Sequence, residues 1–183
     1  MWSLLTRRCY LRDYGEEDRE AFVRINTDPV AREHLNGPLS LREAHQMFES
    51  ALVDTCPYEG ARWAVFGRKS NEYLGHAFLM PWEDGRDEME WGLLLKPEHW
   101  GKGLALEIGL ASLEECFKRR GIRRVLATVE VDHLASMRLM RRLDFTRVGR
   151  CEDEDGGVYD VFAADHPEKG ANKNPVPPLA AAS

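Results

Sequence analysis

Hydrophobic and polar positions alternate along several short segments of the chain, and a period of two predicts β-strands. Five of these segments occupy residues 7–13, 62–69, 72–80, 87–96 and 123–131. The sequence EDGRD joins the third and fourth segments, and its Asp84-Gly85 pair is typical of a hairpin turn. A closing hairpin is predicted around Asp155-Gly156-Gly157, ending near Ala164. Together these signals predict about seven strands.

Other segments carry apolar residues at helical spacing. In the strongest of them, apolar side chains recur on one face and basic residues follow near its end, where they suit the negative end of the helix dipole. Ser40 and Glu43 have the spacing of a capping box, which predicts the start of another helix. The predicted helices cover residues 18–26, 40–53, 104–120 and 136–143. The alternation of strands and helices predicts an α/β (α+β) fold.

Length and composition are typical of one soluble domain. The chain has 183 residues, of which 43% are hydrophobic and 31% charged. A net charge of −6 and the lack of a long apolar run argue against a nucleic-acid partner and a membrane span. Residues 1–164 are predicted to form the domain. Residues 165–183 are rich in Pro, Ala and polar residues, which predicts a flexible tail.

The cysteines are scattered without a Cys-x-x-Cys pair, at Cys9, Cys56, Cys116 and Cys151. This pattern favours reduced thiols in a cytoplasmic protein over a disulfide framework or a zinc site. No His-Glu-x-x-His spacing occurs either, so we expect no metal site.

A glycine-containing turn connects a predicted strand to the strongest predicted helix, within KPEHWGKGLALEIG. Gly101 and Gly103 allow left-handed backbone angles, and the N–H groups at a helix start attract anions such as phosphate. A sharp bend without a ligand is the simpler alternative. The turn lacks the spacing of a Walker loop. A dinucleotide fingerprint would need a third glycine where Leu106 stands, although Glu130 suits its acidic position.

The turn resembles the phosphate loop of the GNAT superfamily of acyl-CoA-dependent N-acetyltransferases. That loop runs Gln/Arg-x-x-Gly-x-Gly/Ala, which falls on Trp100, Gly103 and Ala105 in WGKGLA. Trp100 departs from the Gln/Arg position, but the WGKG form resembles the branch that includes the ribosomal-protein N-terminal acetyltransferases. SMRLMRRLDF resembles the same branch's Ser-x-Arg-x-x-x-x-x-Gly-Phe helix, and Asp144 replaces its glycine. The resemblance covers roughly residues 6–162.

This resemblance implies a single domain with a central mixed, mostly antiparallel twisted sheet and flanking helices. Two strands of the sheet would part, and acetyl-CoA, the implied co-substrate, would lie between them with its pyrophosphate on the glycine turn. His133 would bond pantetheine or act in acid–base chemistry, and a surface histidine is the alternative. The implied donor-binding residues are Leu93, Leu94, Leu95, Trp100, Gly101, Lys102, Gly103, Leu104, Ala105 and His133. Lys102 would lie near a phosphate or in solvent.

The implied reaction is the attack of a primary amine on a thioester. An α-amine with a pKa near 7.7 to 8.0 is already about 10 to 20% neutral at pH 7, whereas a lysine is about 0.04% neutral. Glu90 matches the family's strand-borne glutamate and is the candidate base, with a solvated strand carboxylate as the alternative. Met140 replaces the tyrosine that many relatives place in the late helix. Ser136 is the candidate hydrogen-bond donor to the departing thiolate, or else a helix N-cap or first-turn serine.

The sequence thus predicts an N-acetyltransferase that uses acetyl-CoA and a small-molecule or peptide amine. A noncatalytic acyl-CoA-binding module is the first alternative, and an NAD-dependent oxidoreductase is the second. The resembling branch also implies a homodimer as one possible assembly.

Overall fold

The computed structural model describes residues 4–53, 60–82, 85–153 and 156–168. Its strands form one 8-stranded sheet in the order β1-β2-β3-β4-β5-β6-β8-β7. The strands are β1 (Leu4–Leu5), β2 (Cys9–Asp13), β3 (Ala61–Gly67), β4 (Tyr73–Trp82), β5 (Gly85–Leu95), β6 (Arg124–Glu130), β7 (Thr146–Glu152) and β8 (Val158–Asp165). Neighbouring strands are antiparallel except β5 and β6, which are parallel.

Four α-helices flank this sheet within the described residues: α1 (Arg19–Asn26), α2 (Leu41–Val53), α3 (Leu104–Glu114) and α4 (Leu134–Arg142). The Ser40–Glu43 capping box is present, because the Ser40 amide donates to Glu43 Oε2 at 2.8 Å and the Glu43 amide donates to Ser40 Oγ at 3.3 Å. None of the helices in the described ranges is both long and apolar enough to cross a bilayer.

The predicted fold class is confirmed, with local differences. The short strand β1 was not predicted, because two residues carry no detectable period. The helix predicted over residues 104–120 continues beyond α3 as a wider π-helical turn at Glu115–Arg119. Asp84 and Asp155 lie outside the described residues, as do residues 169–183 of the predicted tail.

The two faces of the sheet pack against different helices because side chains alternate along each strand. On one face, Trp91 and Leu95 join Ile108 of α3 in the main core. On the other face, Leu94 packs in a separate cluster with Ile25 of α1. A Cβ on Gly109 would lie only 2.7 Å from a methyl group of Leu143, so α3 and the end of α4 approach each other closely at this glycine. The crossover through α3 is also what allows β5 and β6 to be parallel.

Candidate active site

The sheet opens between β5 and β6. The two strands are in register over three pairs only, Glu88 with Arg124, Met89 with Val125 and Glu90 with Leu126. Beyond this point β5 continues to Leu95 against β4, while β6 continues to Glu130 against β8. The pairing of the two strands therefore ends at Glu90, as the resemblance implied. The unpaired edges of β5 beyond Glu90 and of β6 beyond Leu126 border the gap that we call the cleft.

Backbone hydrogen bonds show which residues of β5 face the cleft. The Asp87 carbonyl accepts the Arg123 amide at 2.8 Å on the β6 side, whereas the Lys96 amide donates to the Leu74 carbonyl at 2.8 Å on the β4 side. Because main-chain groups alternate along a strand, those of Leu93 and Leu95 face the cleft. Those of Leu94 face β4, where it pairs with His76. The main chain of Leu94 is therefore turned away from the cleft.

The glycine turn lies where β5 leads into α3. Gly101 and Gly103 have φ values of 68° and 74°, which is the left-handed conformation that the sequence predicted for them. Gly103 is the N-cap of α3 and provides no side-chain cap. Within the described ranges, the amides of residues 101–105 have no hydrogen-bond acceptor. Free donors at the positive end of a helix form an anion-binding site.

Neighbouring side chains hold this turn in place. The Trp100 indole Nε1 donates to the Leu95 carbonyl at 2.7 Å, which ties the turn to the end of β5. Leu104 is buried in the main core, whereas Lys102 is exposed. The turn is thus anchored from both sides while its amides stay open.

Glu90 lies at the point where the strands part. Thr128 Oγ1 on β6 donates to Glu90 Oε1 at 2.7 Å. Burial raises the pKa of Glu90, and the hydrogen bonds with Thr128 only partly oppose this effect. A carboxylate with a raised pKa is better suited to accept a proton near neutral pH. The sequence did not identify Thr128, although it is a polar residue within the predicted apolar strand.

Glu88 shares the same face of β5 but has a different environment. Its carboxylate forms a salt bridge with Arg123 at 2.5 Å. The hydrogen bond to Glu90, in contrast, comes from the neutral hydroxyl of Thr128. Glu90 is therefore the better candidate base of the two, because its carboxylate is partly buried and is hydrogen-bonded to Thr128 rather than paired with a cation.

His133 lies at the turn between β6 and α4 and stacks on His34, with ring centroids 4.1 Å apart. His34 Nδ1 lies 2.6 Å from Glu130 Oε2, so the loop after α1 is held against the end of β6. Burial is the main effect that lowers the pKa of His133, and the neighbouring His34 adds to it. His133 is partly buried, with its ring stacked on that of His34. His34 was missed because its partners are distant in sequence.

Ser136 is the third residue of α4, and His133 rather than Ser136 is the N-cap. Ser136 is therefore not the N-cap, but it does lie in the first turn of α4, which was the other structural alternative for this serine. Its side chain is partly buried and makes no hydrogen bond with the described part of the chain. Asp144 adopts the left-handed conformation with a φ of 59°, which is a backbone conformation that glycine favours.

A separate cluster of possible metal ligands comprises Glu72, Glu98 and His99, whose ligand atoms lie within 4.8 Å of one another. Lys96 Nζ already lies 3.4 Å from Glu72 Oε1 in this cluster. An ammonium group at this distance partly satisfies the same negative charge that a cation would need. The cluster gives no reason to add a metal to the predicted chemistry.

Comparison with known proteins agrees with this geometry. A family model described as an acetyltransferase (GNAT) domain matches residues 8–146. YoaA of Bacillus subtilis, an uncharacterized N-acetyltransferase, is 29% identical over 163 residues, covering 86% of this chain and 92% of YoaA. An L-methionine sulfoximine/L-methionine sulfone acetyltransferase of Pseudomonas aeruginosa is 27% identical over 146 residues, covering 76% of this chain and 81% of that protein.

Solved structures share the fold at lower identity. A GNAT-family acetyltransferase from Bacillus anthracis has a TM-score of 0.78 at 20% identity, covering 91% of this chain and 100% of that one. The ribosomal alpha-N-protein acetyltransferase RimL has a TM-score of 0.76 at 20% identity, covering 90% and 98%. Spermidine N-acetyltransferase from Vibrio cholerae has a TM-score of 0.73 at 18% identity, covering 88% and 97%. The chain therefore belongs to the GNAT acetyltransferase family and is an acyl-CoA-dependent acyltransferase.

Proposed function

We propose that this protein transfers an acetyl group from acetyl-CoA to a primary amine by direct attack of the amine on the thioester. Acetyl-CoA supplies the activated acetyl group. The observation that carries the proposal is the cleft between β5 and β6, which has the free amides of the glycine turn at its mouth and Glu90 at its closed end.

The donor site is formed mainly by main-chain groups. The amides of residues 101–105 at the start of α3 have no main-chain acceptor among the described residues and would bind the pyrophosphate. The main chain of Leu93 and Leu95 would bond the pantetheine arm as an additional strand would. The Leu95 carbonyl already accepts a hydrogen bond from the Trp100 indole N–H. The Leu95 amide and both main-chain groups of Leu93 are therefore the groups we assign to pantetheine.

Glu90 is the proposed general base. It would accept a proton from the substrate ammonium, directly or through water, and so give the neutral amine. The lone pair of that amine then forms the new C–N bond as the C–S bond of the thioester breaks. An acceptor with a high pKa depends most on this step, because almost all of it is protonated at neutral pH. Thr128 would orient the Glu90 carboxylate by its hydrogen bond, and this bond would limit the rise in the pKa of Glu90 that burial causes.

The departing thiolate is the second proton problem. A thiol with a pKa near 8.5 leaves tolerably as the thiolate, so a strong general acid is not required. Ser136 is proposed as a hydrogen-bond donor to the sulfur, since its hydroxyl has no hydrogen-bond partner among the described residues. His133 is proposed to contact the pantetheine arm. Its lowered pKa favours the neutral ring, so it would act through hydrogen bonding rather than through charge.

The acceptor class is proposed from the relatives together with the site. The similar proteins include ones named for spermidine, ribosomal-protein N-termini and methionine sulfoximine, all of which present an amino group. We therefore propose a primary amine on either a small molecule or a peptide N-terminus. A homodimer stays a prediction.

Mass spectrometry of the products from acetyl-CoA and a mixed library of peptides and small amines tests this proposal. We expect at least one library member to gain an acetyl group with wild-type protein, and much less with Glu90→Gln. A thermal-shift measurement should show stabilisation by acetyl-CoA and none by NAD. Stabilisation by NAD alone, or failure of every amine to be acetylated, would contradict the proposal.

A further inference from the structure

Arg8 lies far from the glycine turn in the sequence but contacts it in the fold. It lies between β1 and β2, and its Nη1 donates to the Lys102 carbonyl at 2.8 Å. A Cβ placed on Gly103 would lie 3.6 Å from Arg8 Nη2. The guanidinium therefore lies directly beside the turn whose amides form the anion site.

The same arginine neutralises an acidic residue at this site. Its backbone amide donates to Glu107 Oε1 at 2.6 Å, and its Nε donates to Glu107 Oε2 at 2.7 Å. Glu107 is in the first turn of α3, and its side chain is only 17% exposed. Burial would raise the pKa of Glu107, but hydrogen bonds from Thr6 and Arg8 outweigh this effect and hold the pKa below its ordinary value.

An ionised Glu107 is unfavourable for a phosphate at the start of the same helix. Two like charges at close range repel each other, and the repulsion is strongest where water is partly excluded. The Arg8 guanidinium cancels this charge and still has Nη2 without a described acceptor. Its side chain is 39% exposed, so a ligand on the turn can reach it. An arginine fork is also well suited to phosphate oxygens.

We propose that Arg8 is a further donor-binding and positioning residue, which fixes the glycine turn, screens Glu107 and offers Nη2 to the pyrophosphate of acetyl-CoA. This inference rests on the proposed function, because it needs the pyrophosphate to lie on the turn. It makes donor recognition depend on the turn between β1 and β2, which lies 94 residues before Lys102.

The test compares Arg8→Ala with Arg7→Ala using two donors, acetyl-CoA and acetyl-pantetheine, which lacks the pyrophosphate. Arg7 is the exposed neighbour and provides the matched control for the loss of one positive charge. For Arg8→Ala we expect the KM for acetyl-CoA to rise about 10-fold or more, since a hydrogen bond to a charged group is lost and Glu107 is unscreened. We expect kcat at saturating acetyl-CoA, and kcat/KM with acetyl-pantetheine, to stay near wild type.

Arg8→Lys and the double variant Arg8→Ala/Glu107→Gln separate the contributions. The lysine keeps the charge, so its KM for acetyl-CoA should lie between those of wild type and Arg8→Ala. The double variant should recover part of the lost affinity, because the repulsion is removed.

Three results would overturn this inference. They are an unchanged KM for acetyl-CoA in Arg8→Ala, an equal loss with acetyl-pantetheine, and a wild-type KM in Arg8→Lys together with no recovery in the double variant. If wild-type protein does not bind acetyl-CoA at all, the proposed function fails instead. The Arg8→Lys comparison remains available should Arg8→Ala not fold.

Discussion

Thr128→Val removes the hydroxyl that donates to Glu90 while keeping nearly the same side-chain shape. The bond is 2.7 Å long and connects two partly buried groups, one of which is a carboxylate when ionised. Hydrogen bonds to charged groups contribute about 1.5 to 3 kcal/mol. Loss of this bond should therefore lower the acid dissociation constant of Glu90 by roughly 10- to 100-fold.

The direction of the pKa shift of Glu90 follows from the protonation state that the hydrogen bond stabilises. Thr128 donates to Glu90 and so favours the carboxylate, and without it the effect of burial, which already raises the pKa of Glu90, is less opposed. The ascending limb of kcat/KM against pH should move to higher pH in Thr128→Val. The acceptor amine also titrates, but it contributes equally to both proteins when the same acceptor is used.

The assay measures kcat/KM from pH 5 to 10 for wild type, Thr128→Val and a matched control. Thr146→Val is suitable as the control because Thr146 is exposed on β7. A ¹³C NMR titration of the Glu90 carboxyl group reports the same shift without any acceptor. If both the rate profile and the NMR titration of Thr128→Val match those of wild type, Thr128 does not control the protonation of Glu90.

Three further predictions follow from single residues. Glu90→Gln should lower kcat by about 10²-fold or more with an alkylamine and by less with an α-amine. Because burial raises the folded-state pKa of Glu90, its contribution to stability falls as the pH rises through that value. Glu90→Gln should therefore melt higher than wild type at pH 8 and show no gain at pH 4, and a lower melting temperature at pH 8 would contradict this.

Gly103→Ala should cost about 1 to 2 kcal/mol in urea unfolding, because alanine disfavours its φ of 74°; an unchanged midpoint would show that the turn relaxes. His76 stacks on Phe22, and burial lowers its pKa from 6.5 to about 3. The contribution of the neutral His76 ring to the free energy of unfolding should thus be complete above pH 6.5. It should fall as the pH decreases, by up to about 1.4 kcal/mol per pH unit. In His76→Gln this slope should be smaller, and an equal slope would point to other groups.

Local signals in the sequence predicted most of the fold. The Ser40–Glu43 box and the left-handed glycines are determined by neighbours within a few residues, and the structure has them as predicted. Helix α4 begins at Leu134 rather than at Ser136, because His133 serves as its N-cap without a side-chain hydrogen bond. Such a start leaves no capping signal in the sequence.

The complete site could not be predicted, because it depends on contacts between residues that are distant in the sequence. Glu90 and the glycine turn were predicted from the pattern and the family resemblance, but their partners were not. Thr128 is 38 residues from Glu90, and Arg8 is 99 residues from Glu107. His34 is 96 residues from Glu130. These pairs form only when the sheet is assembled, so no local period predicts them.

The central claim is that acetyl-CoA lies in the cleft between β5 and β6 with its pyrophosphate on the amides of the glycine turn. Titration of ¹⁵N-labelled protein with coenzyme A, followed by amide NMR, tests it most directly. We predict that the largest shifts occur at the amides of residues 101–105 and of Leu93 and Leu95, with a smaller change at Leu94. Saturable binding that leaves the turn and cleft amides unshifted would contradict the account.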